Sequence, residues 1–215
     1  MSENKTDSQK KGFSVALGLV DYVNPLTYSI NTFLILSGVR HLMNPVQFWA
    51  YLIGIIISLI IGIVIPTGKL LVGLGKIEFR LPYALFFIVN LGIMVTGVAL
   101  FGTVAGTKAL LIALAVILAI ILGLWAKTKR FNSAIMFTGT LGYTLIYISL
   151  VMLSLRAGKI LPMILFILCW CIMMGIIVMS MKVDLTNPKW HWPIEGGNIS
   201  CRIILMIGLI ILFKL

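Results

Sequence analysis

Long apolar runs, separated by short stretches that gather the glycines, prolines and basic residues, set the rhythm of the chain. A bilayer core about 30 Å thick takes about 20 helical residues to cross. Val46–Ile65 is the cleanest such run, with only Gln47 and Ser58 markedly polar. Leu81–Phe101, Ala109–Ala126, Ser133–Leu155 and Leu161–Met181 are also long enough at about 1.5 Å of rise per residue. Two segments are weaker. Pro25–Val39 is short and carries Thr27, Ser29, Asn31 and Thr32; Ile199–Leu215 contains Arg202 and spans only marginally. The pattern predicts an all-α, polytopic transmembrane helix bundle of six or seven spans. No linker divides it, so residues 13–215 read as a single transmembrane domain. Residues 1–12 are polar throughout and read as a disordered cytosolic tail. Phe13–Val20, followed by Asp21, is too short for the apolar core of a cleavable signal peptide.

Composition sharpens this. Of 215 residues, 60% are hydrophobic and 11% charged, against roughly 45–50% and about 25% in soluble proteins. So much apolar surface cannot be hidden from water in a chain of this size. A cytosolic enzyme, a secreted disulfide scaffold and a disordered chain are therefore excluded. Cys169 and Cys171 lie inside one apolar run and Cys201 at the edge of another. An odd number of thiols at bilayer depth argues against a disulfide framework. No neighbouring ligands suggest a metal site, and no cofactor is expected.

The net charge is +11, yet the basic residues lie almost entirely between apolar runs. Topology control and contact with anionic lipid headgroups explain them better than nucleic acid does. With seven spans and a cytosolic N-terminus, twelve of the 17 Lys and Arg fall on the inner side, Lys69, Lys76, Arg80, Lys182, Lys189 and Arg202 among them. Arg40, Lys108, Arg156, Lys159 and Lys214 fall outside. This asymmetry favours an N-in orientation and requires the weak first span. The expected location is the plasma (inner) membrane of a prokaryote.

Small residues recur every four positions at Ala50, Gly54, Ser58 and Gly62, and again at Ala115, Ala119 and Gly123. That spacing places each set on one helix face, where small side chains allow close helix packing within the chain or in a homo-oligomer. Intramembrane polar residues are candidate functional groups. None of Asp, Glu, Lys, Arg or His falls mid-span in the five central runs. Asn90, Thr140 and Tyr147 are the residues expected along a substrate pathway, although an asparagine also bonds neighbouring helices. The scarcity weakens a proton-coupled carrier. Membrane proteases lack their groups too, since His41 and His191 lie in expected loops outside any HExxH helix. Pro66–Arg80 lacks the full phosphate-loop pattern and reads as a basic interfacial loop.

The stretch Lys182–Arg202 reads as an inner loop. It holds Trp190, His191 and Trp192, residues suited to the membrane interface. A short echo, V-D-x-x-N-P, occurs at Val20–Pro25 and at Val183–Pro188, two turn-forming entries or a pair of elbows for a partner. Asp184 to Trp192 loosely resembles an Asp…Pro-Lys…Trp loop in some membrane subunits of ABC-type exporters, a likeness over about ten residues. It implies docking through Asp184, Pro188, Lys189 and Trp190. The reading that follows is a transport-related membrane subunit without its own ATPase, in contact with membrane lipids and working with a cytosolic ATPase or another membrane subunit. The alternatives are a structural or assembly protein that binds other membrane helices, and a lipid-modifying enzyme, which would need two cytosolic acids brought together, such as Glu78 and Asp184.

Overall fold

The computed structural model describes residues 14–76, 83–128, 131–183 and 188–214. Every regular element among them is helical. A short helix, α1 (Val15–Asp21), leads into α2 (Val23–Val39), and a single 3-10 turn at Arg40–Leu42 precedes α3 (Pro45–Gly73). Then follow α4 (Tyr83–Ala105), α5 (Thr107–Thr128), α6 (Phe131–Arg156) and α7 (Ile160–Lys182), a second 3-10 turn at Pro188–Trp190, and α8 (His191–Phe213). Five of these (α3, α4, α6, α7 and α8) are long and apolar enough to cross a membrane, and α5 adds a shorter apolar stretch.

Local chemistry explains the boundaries. α3 opens with Pro45 in its first turn and a reciprocal capping box, in which Asn44 Oδ1 accepts from Gln47 N and Gln47 Oε1 accepts from Asn44 N. α6 ends at Gly158, whose φ of 65° lets the Lys159 N–H reach back to the Ser154 carbonyl at 2.9 Å. α8 ends where the Lys159 ammonium donates to the carbonyls of Ile211 and Leu212 at 2.7 and 2.8 Å, which satisfies acceptors that a helix end leaves orphaned.

Two boundaries differ from the sequence expectation, and both matter. α3 does not stop at Ile65; it runs through Pro66 to Gly73. Proline removes one backbone donor, a loss that membrane helices tolerate, and the helix continues through the next turn, where the Thr67 hydroxyl donates to the Ile63 carbonyl at 2.7 Å. Pro66 to Gly73 is therefore helix and not an interfacial loop. Likewise, His191 to Arg202 is not loop but the first half of α8, which makes this 23-residue helix fully long enough to span. The weak appearance of α2 also resolves. Its polar Ser29, Asn31 and Thr32 are buried in the bundle, while Leu26, Ile30 and Phe33 face outward.

α4 packs between α3 and α6, α7 lies against α6 and α8, and α2 rests on α8 and α3. Glycines set the closest crossings. A Cβ on Gly54 would meet Thr96 Oγ1 and, at 2.7 Å, the Gly92 carbonyl oxygen; one on Gly142 would meet Met94 N at 2.7 Å. Around these crossings lies a core that includes Tyr51, Ile55, Leu100, Leu150, Phe166 and Leu209. Large apolar side chains such as Ile53, Ile60, Leu111, Ile112, Leu161 and Ile164 are exposed. In lipid that is the expected arrangement. The chain is a multi-pass integral membrane protein whose outer faces contact lipid.

Candidate functional site

Four elements bring polar groups to one end of the bundle: the end of α1, the end of α3 and the start of α8 supply charge, and the start of α2 supplies an amide. α1 lies directly on α3, because a Cβ on Gly18 would sit 2.8 Å from the Leu70 Cα. The Tyr22 hydroxyl in the turn after α1 bonds Thr67 Oγ1 at 2.7 Å. These contacts hold Asp21 against Lys69, and the two form an ion pair with side chains 4% and 6% exposed. His191 Nδ1, at the start of α8, lies 3.3 Å from Lys69 Nζ.

Further along α8, His191, Glu195, Asn198 and Arg202 are all buried and follow one another at helical spacing on a single face. Glu195 Oε2 accepts from Asn24 Nδ2 at 3.0 Å. Asn31 Nδ2 donates to the Arg202 carbonyl at 2.9 Å. The Arg202 guanidinium donates from Nη2 to the Tyr143 hydroxyl at 2.7 Å and lies over the rings of Tyr28 and Tyr143, 5.0 and 5.1 Å from their centroids. Such cation–π contacts are strengthened where water is excluded.

These side chains border a half-open cavity of about 160 Å³, lined by Asp21, Lys69, Glu195, Arg202, Tyr28 and Tyr143, with Phe86, Val89 and Ile93 of α4 on its apolar wall. An apolar cavity of about 150 Å³ stays dry and takes a benzene-sized molecule. This one has charged walls, which suit water or a small polar solute rather than an apolar one. A second space of about 10 Å³, room for one water, is lined by Asn31, Thr32 and Tyr147 and shares Tyr28, Tyr143 and Arg202 with the first.

The residues expected from sequence fall in different places. Tyr147 is buried, lines the smaller space, and its hydroxyl is 3.3 Å from Cys201 Sγ. Asn90 is half-buried at the α4–α6 crossing, beside Gly139. Thr140 is half-buried on α6, its carbonyl taking a bond from Thr144 Oγ1 at 2.8 Å. Neither Asn90 nor Thr140 lines the cavity. Gly54 and Ser58 are buried against α4, where Ser58 Oγ reaches the Val89 carbonyl at 3.4 Å; Ala50 and Gly62 are half-buried, and Gly62 faces Pro25 of α2. Ala115, Ala119 and Gly123 on α5 are exposed, and the space beside Gly123 is open. Asp184 and Glu78 lie outside the described residues. Pro188 and Trp190 form the 3-10 turn with Lys189, whose ammonium lies 5.9 Å from the Trp190 ring centroid.

Sequence reasoning missed Asp21, Lys69, Glu195 and Arg202 as a site. One signal was available: His191, Glu195, Asn198 and Arg202 recur at steps of four, three and four, the period of one helix face. Compared with protein-family models, with curated proteins and with solved structures, the chain gives no match in any of the three.

Proposed function

We propose that the chain is a transport-related membrane subunit, N-terminus cytosolic, that works with a partner supplying the energy and handles a small polar solute in the cavity between α2, α3 and α8. One observation supports this reading most: four buried charged side chains line a water-sized to solute-sized space inside a membrane bundle. Ionisable groups in membrane spans are costly to bury and mark pathways and binding sites. The inner turn at Pro188–Trp190 leads directly into α8, so a partner docked on Lys189 and Trp190 would act on the helix that carries Glu195 and Arg202.

Affinity purification of the full chain in mild detergent, with mass spectrometry of its companions, tests the proposal. A stoichiometric ATPase, lost on Lys189→Glu with Trp190→Ala, is the expected result. Recovery of the chain alone or only as a homo-oligomer overturns the subunit reading and leaves a self-contained carrier or a scaffold.

A further inference from the structure

The charges around the cavity do not all cancel in the same way. Asp21 and Lys69 neutralise one another directly. Glu195 and Arg202 make no ion pair with any described residue. They stand seven residues apart on one face of α8, about 10 Å of helix rise, and no ion pair joins them. Glu195 is held by the side-chain amides of Asn24 and Asn198, and the Lys69 ammonium, already paired with Asp21, acts on it without a direct contact. Arg202 is held by a hydroxyl and two aromatic faces, and its Nε is buried without a hydrogen-bond partner. Arg202 is only 3% exposed and Glu195 8%. A buried charge without a counter-charge in direct contact is among the least favourable arrangements in a protein, and more so in a membrane span. Both side chains line the same cavity.

A single molecule carrying both signs would complete both groups at once. We infer that the cavity is a binding site for a small zwitterion, with its ammonium at Glu195 and its phosphate or carboxylate at Arg202, and this rests on reading the cavity as the solute site. The other candidate ligands fit less well. A simple anion would leave Glu195 without a contacting counter-charge, and a simple cation would leave Arg202 without one. The volume of about 160 Å³ suits a headgroup-sized molecule, slightly larger than benzene. Arginine is the side chain best matched to a phosphate or carboxylate through its fixed fork of donors. Phe86, Val89 and Ile93 supply the apolar wall for a short methylene linker. The ligand is either a free solute or the headgroup of a zwitterionic lipid, since both present the same ammonium and anion a few bonds apart.

The test uses the full chain in dodecyl maltoside, an uncharged detergent, with binding read by calorimetry and by the unfolding midpoint. The probes are phosphoethanolamine and 4-aminobutanoate, set against inorganic phosphate, butanoate and ethanolamine. At least one zwitterion should bind tenfold or more tightly than either of its halves. Glu195→Gln should reduce its affinity to that of the anionic half, and Arg202→Gln to that of ethanolamine. If a variant fails to fold, the wild-type ratio of zwitterion to halves decides alone. Nanodiscs of phosphatidylethanolamine or phosphatidylglycerol separate the sources. A midpoint raised only by phosphatidylethanolamine, with weak binding of free probes, assigns a lipid headgroup; binding of a free probe in both discs assigns a solute. Halves that bind as well as the whole, or no binding and no lipid preference, overturn the inference. Zwitterion binding by a chain that purifies alone keeps this site and removes the partner-driven subunit; an ATPase partner with no zwitterion binding does the reverse.

Discussion

Lys69 sits in a sequence, Pro-Thr-Gly-Lys, that looks made for solvent, yet it is buried on Asp21. Taking away one member of a buried ion pair leaves the other charge uncompensated, at a cost of about 3–5 kcal/mol. Lys69→Met should therefore destabilise the protein by about that much, read by denaturation in detergent. Asp21→Asn in the same chain should restore most of the loss. A single-variant loss below about 1 kcal/mol would mean that the pair is exposed to water, like an ordinary surface salt bridge. At this scale the sequence was least legible. Asp21 and Lys69 are far apart in the chain, and Asn24 and Glu195 are 171 positions apart; nothing local announces that they meet. The V-D-x-x-N-P echo did single out Asp21 and Asn24, but as turn formers. Their structural use is to project a carboxylate and an amide into the bundle.

Among the elements, length and apolar content carried most of the information. The central runs became α4, α5, α6 and α7 with ends shifted by a few residues. The misreadings share one cause. Pro66-Thr-Gly-Lys and Trp192-Pro-Ile-Glu-Gly-Gly are helix breakers in water, where freed backbone groups find solvent. Packed against other helices, where solvent offers no alternative, the same residues stay helical. The glycines make a sharper prediction here. At Gly97, a Cβ would collide with the Gly142 carbonyl of α6, whereas Gly123 faces open space. Gly97→Leu should push α4 from α6 and destabilise by about 1–3 kcal/mol or more, while Gly123→Leu should leave the unfolding midpoint of the isolated chain unchanged. Equal effects at both positions would contradict the α4–α6 crossing. The spacing-of-four search found Gly54 and Ser58 but missed Gly97 and Gly142, because their partners lie across the interface and not along one helix.

For the whole molecule, the orientation now rests on a revised distribution of charge. Lys69 and Arg202 were expected in inner loops but are buried in α3 and α8. Counted over the seven spans expected from sequence, the inner side then keeps ten of the 17 basic residues, against five outside, so the expected asymmetry survives. It predicts that a cysteine at position 157, in the exposed turn after α6, reacts with an impermeant maleimide added to intact cells. A cysteine at position 4 should react only after lysis. Both variants, Ala157→Cys and Asn4→Cys, need the three native cysteines replaced by alanine. The opposite pattern would invert the bundle and place the charged cavity at the outer leaflet.

The bonds between α2 and α8 also order events in time. Asn31 donates to the Arg202 carbonyl, and Asn24 to Glu195, each across 171 positions. At about 5–20 residues per second of synthesis, α2 waits roughly ten to thirty-five seconds in the membrane before its amides have their final partners. For that interval the hydroxyls of Ser29 and Thr32 have partners within α2 itself, but the side-chain amides of Asn24 and Asn31 do not have theirs, and the arrival of α8 completes the face.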